Sequence, residues 1–195
     1  MARKHAVLSA SSAARWIACP PSARLNAEKS DTPSEYAAQG TDAHTLCEYK
    51  LCKALGERVR DPTKNLASYD TEMEECAEAY CQFVMEQVEQ FRAESKDTMV
   101  SVEQRVDFSD FVPDGFGTAD TLIISGKTVC IVDYKHGKGI EVSAERNPQM
   151  MCYALGCIQM FDGLYDIESI WMIIFQPRLS NISEHTISKA DLLAW

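Results

Sequence analysis

No stretch of this 195-residue chain comes near the roughly 20 consecutive apolar residues that a membrane-crossing helix needs, so an integral helical membrane protein is excluded. The first residues, MARKHAVLSASSAARW, are basic but lack the uninterrupted apolar core of a secretory leader. No segment repeats another and no low-complexity tract stands out. Among eight cysteines there is no CxxC pair; Cys47/Cys52, Cys76/Cys81 and Cys152/Cys157 are each five apart. That spacing argues against a thiolate metal site built from tight pairs. It reads instead as reduced, small apolar side chains in a cytoplasmic protein. Positive charge is also short, with 19 Lys and Arg against 29 Asp and Glu, a formal net charge of −10.

A polyanion-binding protein is not what that balance first suggests. The imbalance is local, however. Between Ser68 and Asp97 nine acidic residues face two basic ones, which accounts for most of the excess. The remainder is close to neutral and leaves room for a basic cleft. At 46% hydrophobic and 25% charged, the chain has an ordinary globular composition. Its length suits one domain spanning residues 1–195.

Hydrophobic periodicity divides that domain in two. Residues 1–97 read as mainly helical. Ser9, Ser11 and Ser12 precede a short helix containing Arg15, Trp16 and Ile17, which Cys19-Pro20-Pro21 stops. A further turn of helix is expected over Ala23–Lys29, and Asp31-Thr32-Pro33-Ser34 signals a loop and helix start. Gly40, Ala43, Cys47, Leu51 and Leu55 recur at helical spacing over Tyr36–Leu55, with His44 beside that face. The acidic segment carries its own stripe, Met73, Ala77, Tyr80, Val84, Val88 and Phe91, and its glutamates read as a solvated face.

From Thr98 the period changes to two. Val100, Val102 and Val106 are expected on one face of a first strand, with Met99, Glu103 and Arg105 opposite. Asp120, Leu122 and Ile124 are expected to share a face of a second strand, Thr118–Ser125. Val129, Ile131, Asp133 and Lys135 are expected to share one in a third, Thr128–Lys135. The turn at Ser125-Gly126-Lys127 predicts an antiparallel hairpin. Asn147-Pro148 opens a helix to about Met160, Ser169–Gln176 is a doubly buried strand, and Glu184–Ile187 is a short one. These elements predict an α/β (α+β) domain whose central mixed β-sheet, residues 98–187, is flanked by helices, including the helix over 147–160. Ser188-Lys189-Ala190-Asp191 resembles a capping box only a turn before Trp195. It reads as a helix cut short and predicts truncation at the C-terminus.

The hairpin places chemistry at its open end. Asp120 lies six residues before Gly126 and Asp133 seven after it, so two carboxylates become cross-strand neighbours. Their repulsion calls for a counter-charge, which a hard divalent cation with oxygen ligands supplies. Lys135, two residues beyond Asp133, projects on the same face and adds a cation where negative charge would develop. Gly115, Gly117, Gly137 and Gly139 flank the strands and are expected to let a ligand approach the backbone. Taken singly, each of these residues is also an ordinary occupant of a solvent-facing sheet edge.

In combination they resemble a known family. Gly40-Thr41-Asp42-Ala43-His44, Gly117-Thr118-Ala119-Asp120, Ile131-Val132-Asp133-Tyr134-Lys135 and Gln149-Met150-Met151-Cys152-Tyr153 are similar to the GxxxH, GxxD, DxK and QxxxY motifs of the RecB-type nuclease branch of the PD-(D/E)XK superfamily. They occur in that order and at similar spacing. The branch includes the CRISPR adaptation nucleases, and the likeness is greatest to its phage- and prophage-encoded members of unknown function. The resemblance implies a restriction-endonuclease-like core and a Mg²⁺- or Mn²⁺-dependent deoxyribonuclease, exonuclease rather than endonuclease, that cleaves phosphodiesters in phage recombination, replication or repair. It implies His44, Asp120, Asp133 and the main-chain carbonyl of Tyr134 as metal ligands, with Asp120, Asp133 and Lys135 as the catalytic set. Gln149 and Tyr153 would contact substrate or brace the lysine, and Glu103 would add a carboxylate. The implied partners are DNA and a phage single-strand-binding or annealing protein, in the cytoplasm of a bacterial host and with no membrane. Many relatives hold an iron–sulfur cluster through one N-terminal and three C-terminal cysteines. Here only Cys19 matches, so no cluster is assigned. Two alternatives stay open: an inactive member that binds nucleic acid or a phage protein, and a scaffold that docks a basic partner on its acidic helix.

Overall fold

The computed structural model describes residues 6–27 and 34–195. The helix-start signal at Asp31-Thr32-Pro33 and the end of the turn expected to reach Lys29 lie outside the described residues. Four helices precede the sheet: α1 (Ala13–Ala18), α2 (Pro21–Ala27), α3 (Glu35–Ala54) and α4 (Thr71–Glu94). Strands β1 (Met99–Asp107), β2 (Phe116–Ser125) and β3 (Thr128–Tyr134) follow. Then come α5 (Pro148–Tyr165), β4 (Ser169–Gln176), β5 (Asn181–Ser188) and α6 (Lys189–Ala194). The five strands lie side by side in chain order. β1–β2, β2–β3 and β4–β5 are antiparallel, and β3–β4 is parallel across a connection through α5. The protein is thus an α/β fold with a mixed five-stranded sheet packed against helices.

Local chemistry sets these elements. Ser34, Asp70, Asn147 and Ser188 each cap a helix by accepting a backbone N–H, and Pro148 takes the first position of α5. The centre of the sheet, β2 to β4, is buried on both faces. Val129 and Ile131 of β3, with Ile170, Met172 and Ile174 of β4, join α1, α5 and α6 in one core. Cys130, Val132 and Tyr134, with Ile173 and Phe175, join α3 and α4 in the other. Two opposed cores explain why β4 is apolar at almost every position. The stripe expected on α4, Met73 to Phe91, is buried throughout. Some of its glutamates do more than meet water. Glu74 and Glu78 each lie 2.7 Å from Lys50 of α3, and Glu72 holds Lys138 at 2.7 Å and Arg178 at 2.8 Å.

Other expectations need correction. Val100 and Val102 pack on the α3–α4 side, whereas Val106 is buried on the α5 side. Between them Glu103 takes a left-handed backbone, φ +49°, which shifts the pleat without changing the register. β2 shifts at the position opposite. Ala119 joins the α5-side core while Thr121 bonds Tyr80 of α4 at 2.8 Å. Asp120 therefore does not simply extend the face of Leu122 and Ile124. Helix α5 runs to Tyr165 rather than Met160, ending where Asp166 adopts φ +47°. β5 spans Asn181–Ser188, paired with β4 along its whole length. Two glycines expected to make room for a ligand are filled by packing. A Cβ at Gly115 would meet Phe108 at 2.5 Å, and one at Gly117 would meet Tyr153 at 2.8 Å and Ala10 at 3.0 Å. Gly137 and Gly139 do face open space.

Candidate metal centre

The register aligns three carboxylates. β2–β3 pairing runs from Ser125↔Thr128 to Thr121↔Val132, so Asp120 and Asp133 stand just beyond the last paired residues of the two strands. β1–β2 pairing, with Val102↔Thr121 and Gln104↔Ala119, sets Glu103 opposite Asp120. Asp120 and Asp133 line one cavity of about 390 Å³ with His44, Lys135, Gln149, Tyr153, Thr41 and Gly117. Asp120, Asp133 and Lys135 thus line one cavity at the open end of the hairpin.

Each carboxylate is held differently. Asp120 Oδ1 lies 3.2 Å from His44 Nδ1 on α3, and its Oδ2 accepts the Tyr134 backbone N–H at 2.7 Å. Asp133, only 2% exposed, accepts from Gln149 Nε2 at 2.9 Å on Oδ1. Lys135 Nζ pairs with the other oxygen, Oδ2, at 2.8 Å. Gln149 ties the group together. Its Oε1 accepts from Lys135 Nζ at 3.0 Å, and its Nε2 also donates to the Tyr153 hydroxyl at 3.0 Å. Gln149 and Tyr153 meet because they sit one helical turn apart on α5.

The Tyr134 side chain turns to the opposite layer. Its ring stands edge-on to His44 at 5.5 Å between centroids, and its hydroxyl pairs with His136 Nδ1 at 2.8 Å. It thereby braces the imidazole from behind.

Electrostatics follow from this crowding. Burial favours the neutral form of His44, but the charge and hydrogen bond of Asp120 outweigh it and lift the imidazole to about 9. Burial opposes the Asp120 charge too, yet His44, Lys135 and the Tyr134 N–H hold its carboxyl below the ordinary value. For Asp133, burial prevails over the help of Lys135, and the neighbouring Asp120 charge adds to it, so its carboxyl is raised. Glu103 is pushed up to about 7 by burial and by Asp120. Lys135 is raised despite burial, chiefly by Asp133, and is an ammonium at neutral pH.

His44, Glu103 and Asp120 offer ligand atoms that all lie within 4.8 Å of one another, a group that could hold a metal ion. Asp133 stands outside that trio but lines the same cavity. The donors are carboxylate oxygens and one imidazole, with no thiolate, which suits Mg²⁺ or Mn²⁺. Asp133 lines the same cavity with its Oδ2 already paired to the Lys135 ammonium at 2.8 Å.

Comparison with known proteins places the chain in a family. The family model described as "Protein of unknown function (DUF2800)" matches residues 5–195. The chain belongs to the DUF2800 family. Among solved structures, the one described as "Crystal structure of SSO0001" is similar to this DUF2800 protein at 16% identity. It covers 80% of this chain and 83% of that one, with a TM-score of 0.25. A superposition that loose carries no inference about the site.

Several cavity residues of the DUF2800 chain escape sequence reasoning. Thr41 was within reach, since it lies three residues before His44 and so on the same helix face. Ser9, Ser11, Phe116 and Thr118 also line the cavity. The two serines arrive from the distant N-terminal segment.

Proposed function

We propose that this protein is a divalent-cation-dependent hydrolase of nucleic-acid phosphodiesters, acting on DNA. Of all the observations, the one that carries this is the convergence of Asp120, Asp133 and Lys135 with His44 and Gln149 on a single cavity. Further support comes from the resemblance of the GxxxH, GxxD, DxK and QxxxY motifs to RecB-type nucleases. His44, Asp120, Asp133 and the Tyr134 carbonyl would hold Mg²⁺ or Mn²⁺, with Glu103 adding a carboxylate. A cation so held supplies Lewis-acid polarisation of a phosphoryl oxygen and a lowered pKa for its water.

The chain's own residues do the rest. Lys135, fixed by Asp133 and Gln149, presents an ammonium to the charge that develops on the phosphate and to the attacking water. Gln149 locks the lysine and the Asp133 carboxylate in one geometry, and Tyr153 holds Gln149. Asp120 fixes the orientation of His44. Exonuclease action rests on the resemblance alone.

The test is cleavage of end-labelled linear and circular DNA, single- and double-stranded, with Mn²⁺ or Mg²⁺ and with EDTA. Cation-dependent cleavage that is lost in Asp120→Ala, Asp133→Ala and Lys135→Ala, with circular dichroism unchanged, supports the proposal. Absence of cation-dependent cleavage on every substrate overturns it. Retained DNA binding without cleavage would favour an inactive binding module instead.

A further inference from the structure

We propose that Arg105, its guanidinium held over the ring of Phe116, is the residue that holds a backbone phosphate of the nucleic-acid strand as it enters the cavity. This rests on the hydrolase proposal and adds how substrate is gripped.

Arg105 is opposite Thr118 in the β1–β2 register, and Phe116 is its diagonal neighbour, paired with Asp107. The Arg105 guanidinium carbon stands 3.7 Å from the Phe116 ring centroid. Phe116 and Thr118 themselves line the cavity that contains Asp120, Asp133 and Lys135. Arg105 is exposed. Lys50, Lys127, Lys135, Lys138, Arg178 and Lys189 have carboxylate partners; of the cations without one, Arg105 is set apart by its contact with the cavity-lining Phe116. Among the described residues the Arg105 side chain makes no ion pair or hydrogen bond, and its N–H donors remain available.

The rest of the cavity shows why such a cation matters. Its carboxylates repel a phosphate, and the chain as a whole carries −10. The hydroxyls that line it, Ser9, Ser11, Thr41 and Thr118, are neutral, able to donate to phosphate oxygens but not to attract them from a distance. Arg105, beside the lining residue Phe116, adds to the attraction of the Lys135 ammonium. Contact with the Phe116 ring restrains the guanidinium in advance, so less freedom is lost when an N–H meets the phosphate. An arginine on an aromatic ring is also an ordinary cross-strand brace between β1 and β2, and the experiment separates the two roles.

The probe is a fluorescein-labelled single-stranded oligodeoxythymidine. Its affinity is read by anisotropy over a salt series with Ca²⁺ present, and cleavage kinetics are followed in parallel with Mn²⁺. Arg105→Ala is expected to weaken binding about tenfold and to reduce the slope of log K against log salt by about 0.7, the value for one phosphate contact on a single strand. In the cleavage assay KM should rise with kcat little changed. Arg105→Glu should weaken binding further. Phe116→Leu, which keeps the charge but removes the ring, should weaken binding by a few-fold with the salt slope retained. If Arg105→Ala is folded and binds with wild-type affinity and slope while the wild-type protein binds and cleaves DNA, this inference fails and the hydrolase proposal stands. If the wild-type protein neither binds nor cleaves any nucleic acid, both fail.

Discussion

His44 carries a proton that a metal would have to displace. Burial works against its charge, but Asp120 at 3.2 Å prevails and raises the imidazole from 6.5 to about 9. A folded-state value above the unfolded one means the imidazolium contributes stability that is complete below pH 6.5 and lost as pH rises through about 9. In EDTA, the stability advantage of wild type over His44→Gln should therefore be largest near pH 6 and shrink steadily to pH 9. Urea denaturation across that range checks it, and a pH-independent difference would contradict the Asp120–His44 pairing. Glu103 works in the same direction at lower pH. Raised to about 7 by burial and by Asp120, its ionisation costs native stability as pH climbs from 4.5 to 7. Both residues make the metal-free protein uneasy at neutral and higher pH, where a cation would neutralise one and deprotonate the other. Asp120, Asp133, Lys135, Gln149 and Tyr153 were all legible in the sequence, because each sits in a motif with fixed spacing. The role of Glu103 was only partly so: its left-handed backbone, φ +49°, has no signature in a glutamate within a strand.

At the scale of elements, α5 is the piece that brings Gln149 and Tyr153 to the strand ends, and its contact with β1 depends on one glycine. A Cβ at Gly156 would meet Val106 Cβ at 2.9 Å and the Asp107 carbonyl at 3.2 Å. Both are close to backbone and cannot swing away. Inside an exposed helix, replacing glycine by alanine stabilises by about 1 kcal/mol. Here Gly156→Ala should instead destabilise by about 1–3 kcal/mol through overpacking, seen as a lower urea midpoint with an unchanged m-value. The reversed sign is the diagnostic. β3, β4 and the α4 stripe could be read from pattern alone, since burial on one or both faces dictates the side chains. The split of β1 between two cores could not, because period-two reasoning assumes an unbroken pleat. For the same reason Gly117 invited a ligand-based explanation, although Tyr153 and Ala10 occupy the space where its side chain would be. Which neighbour fills such a space is a tertiary fact.

Across the whole molecule, two helical layers clamp a sheet whose one polar end gathers repelling carboxylates, an arrangement that sets stability against site formation. Asp133 concentrates the conflict. It is almost fully buried, and burial together with Asp120 raises its carboxyl above the ordinary range. Its ionised form therefore detracts from native stability at every pH above about 4. Asp133→Asn keeps the shape and removes that charge, at the cost of leaving Lys135, 26% exposed, to water and to Gln149. Because Lys135 can reach solvent and the carboxylate cannot, the net effect should be favourable. In EDTA at pH 7 the variant should melt about 2–4 °C above wild type, the shift that 1 kcal/mol produces in a chain of 150–250 residues. Manganese should reverse the order. Ligand at 100 times its Kd stabilises the native state by about 2.7 kcal/mol, so wild type should gain several degrees on adding Mn²⁺ and Asp133→Asn little or nothing. Differential scanning calorimetry with and without Mn²⁺ reads both halves at once. A variant less stable in EDTA would mean that the Asp133–Lys135 pair outweighs the repulsion. An equal Mn²⁺ response in both proteins would remove Asp133 from the ligand set and leave His44, Glu103 and Asp120 as the cation's holders.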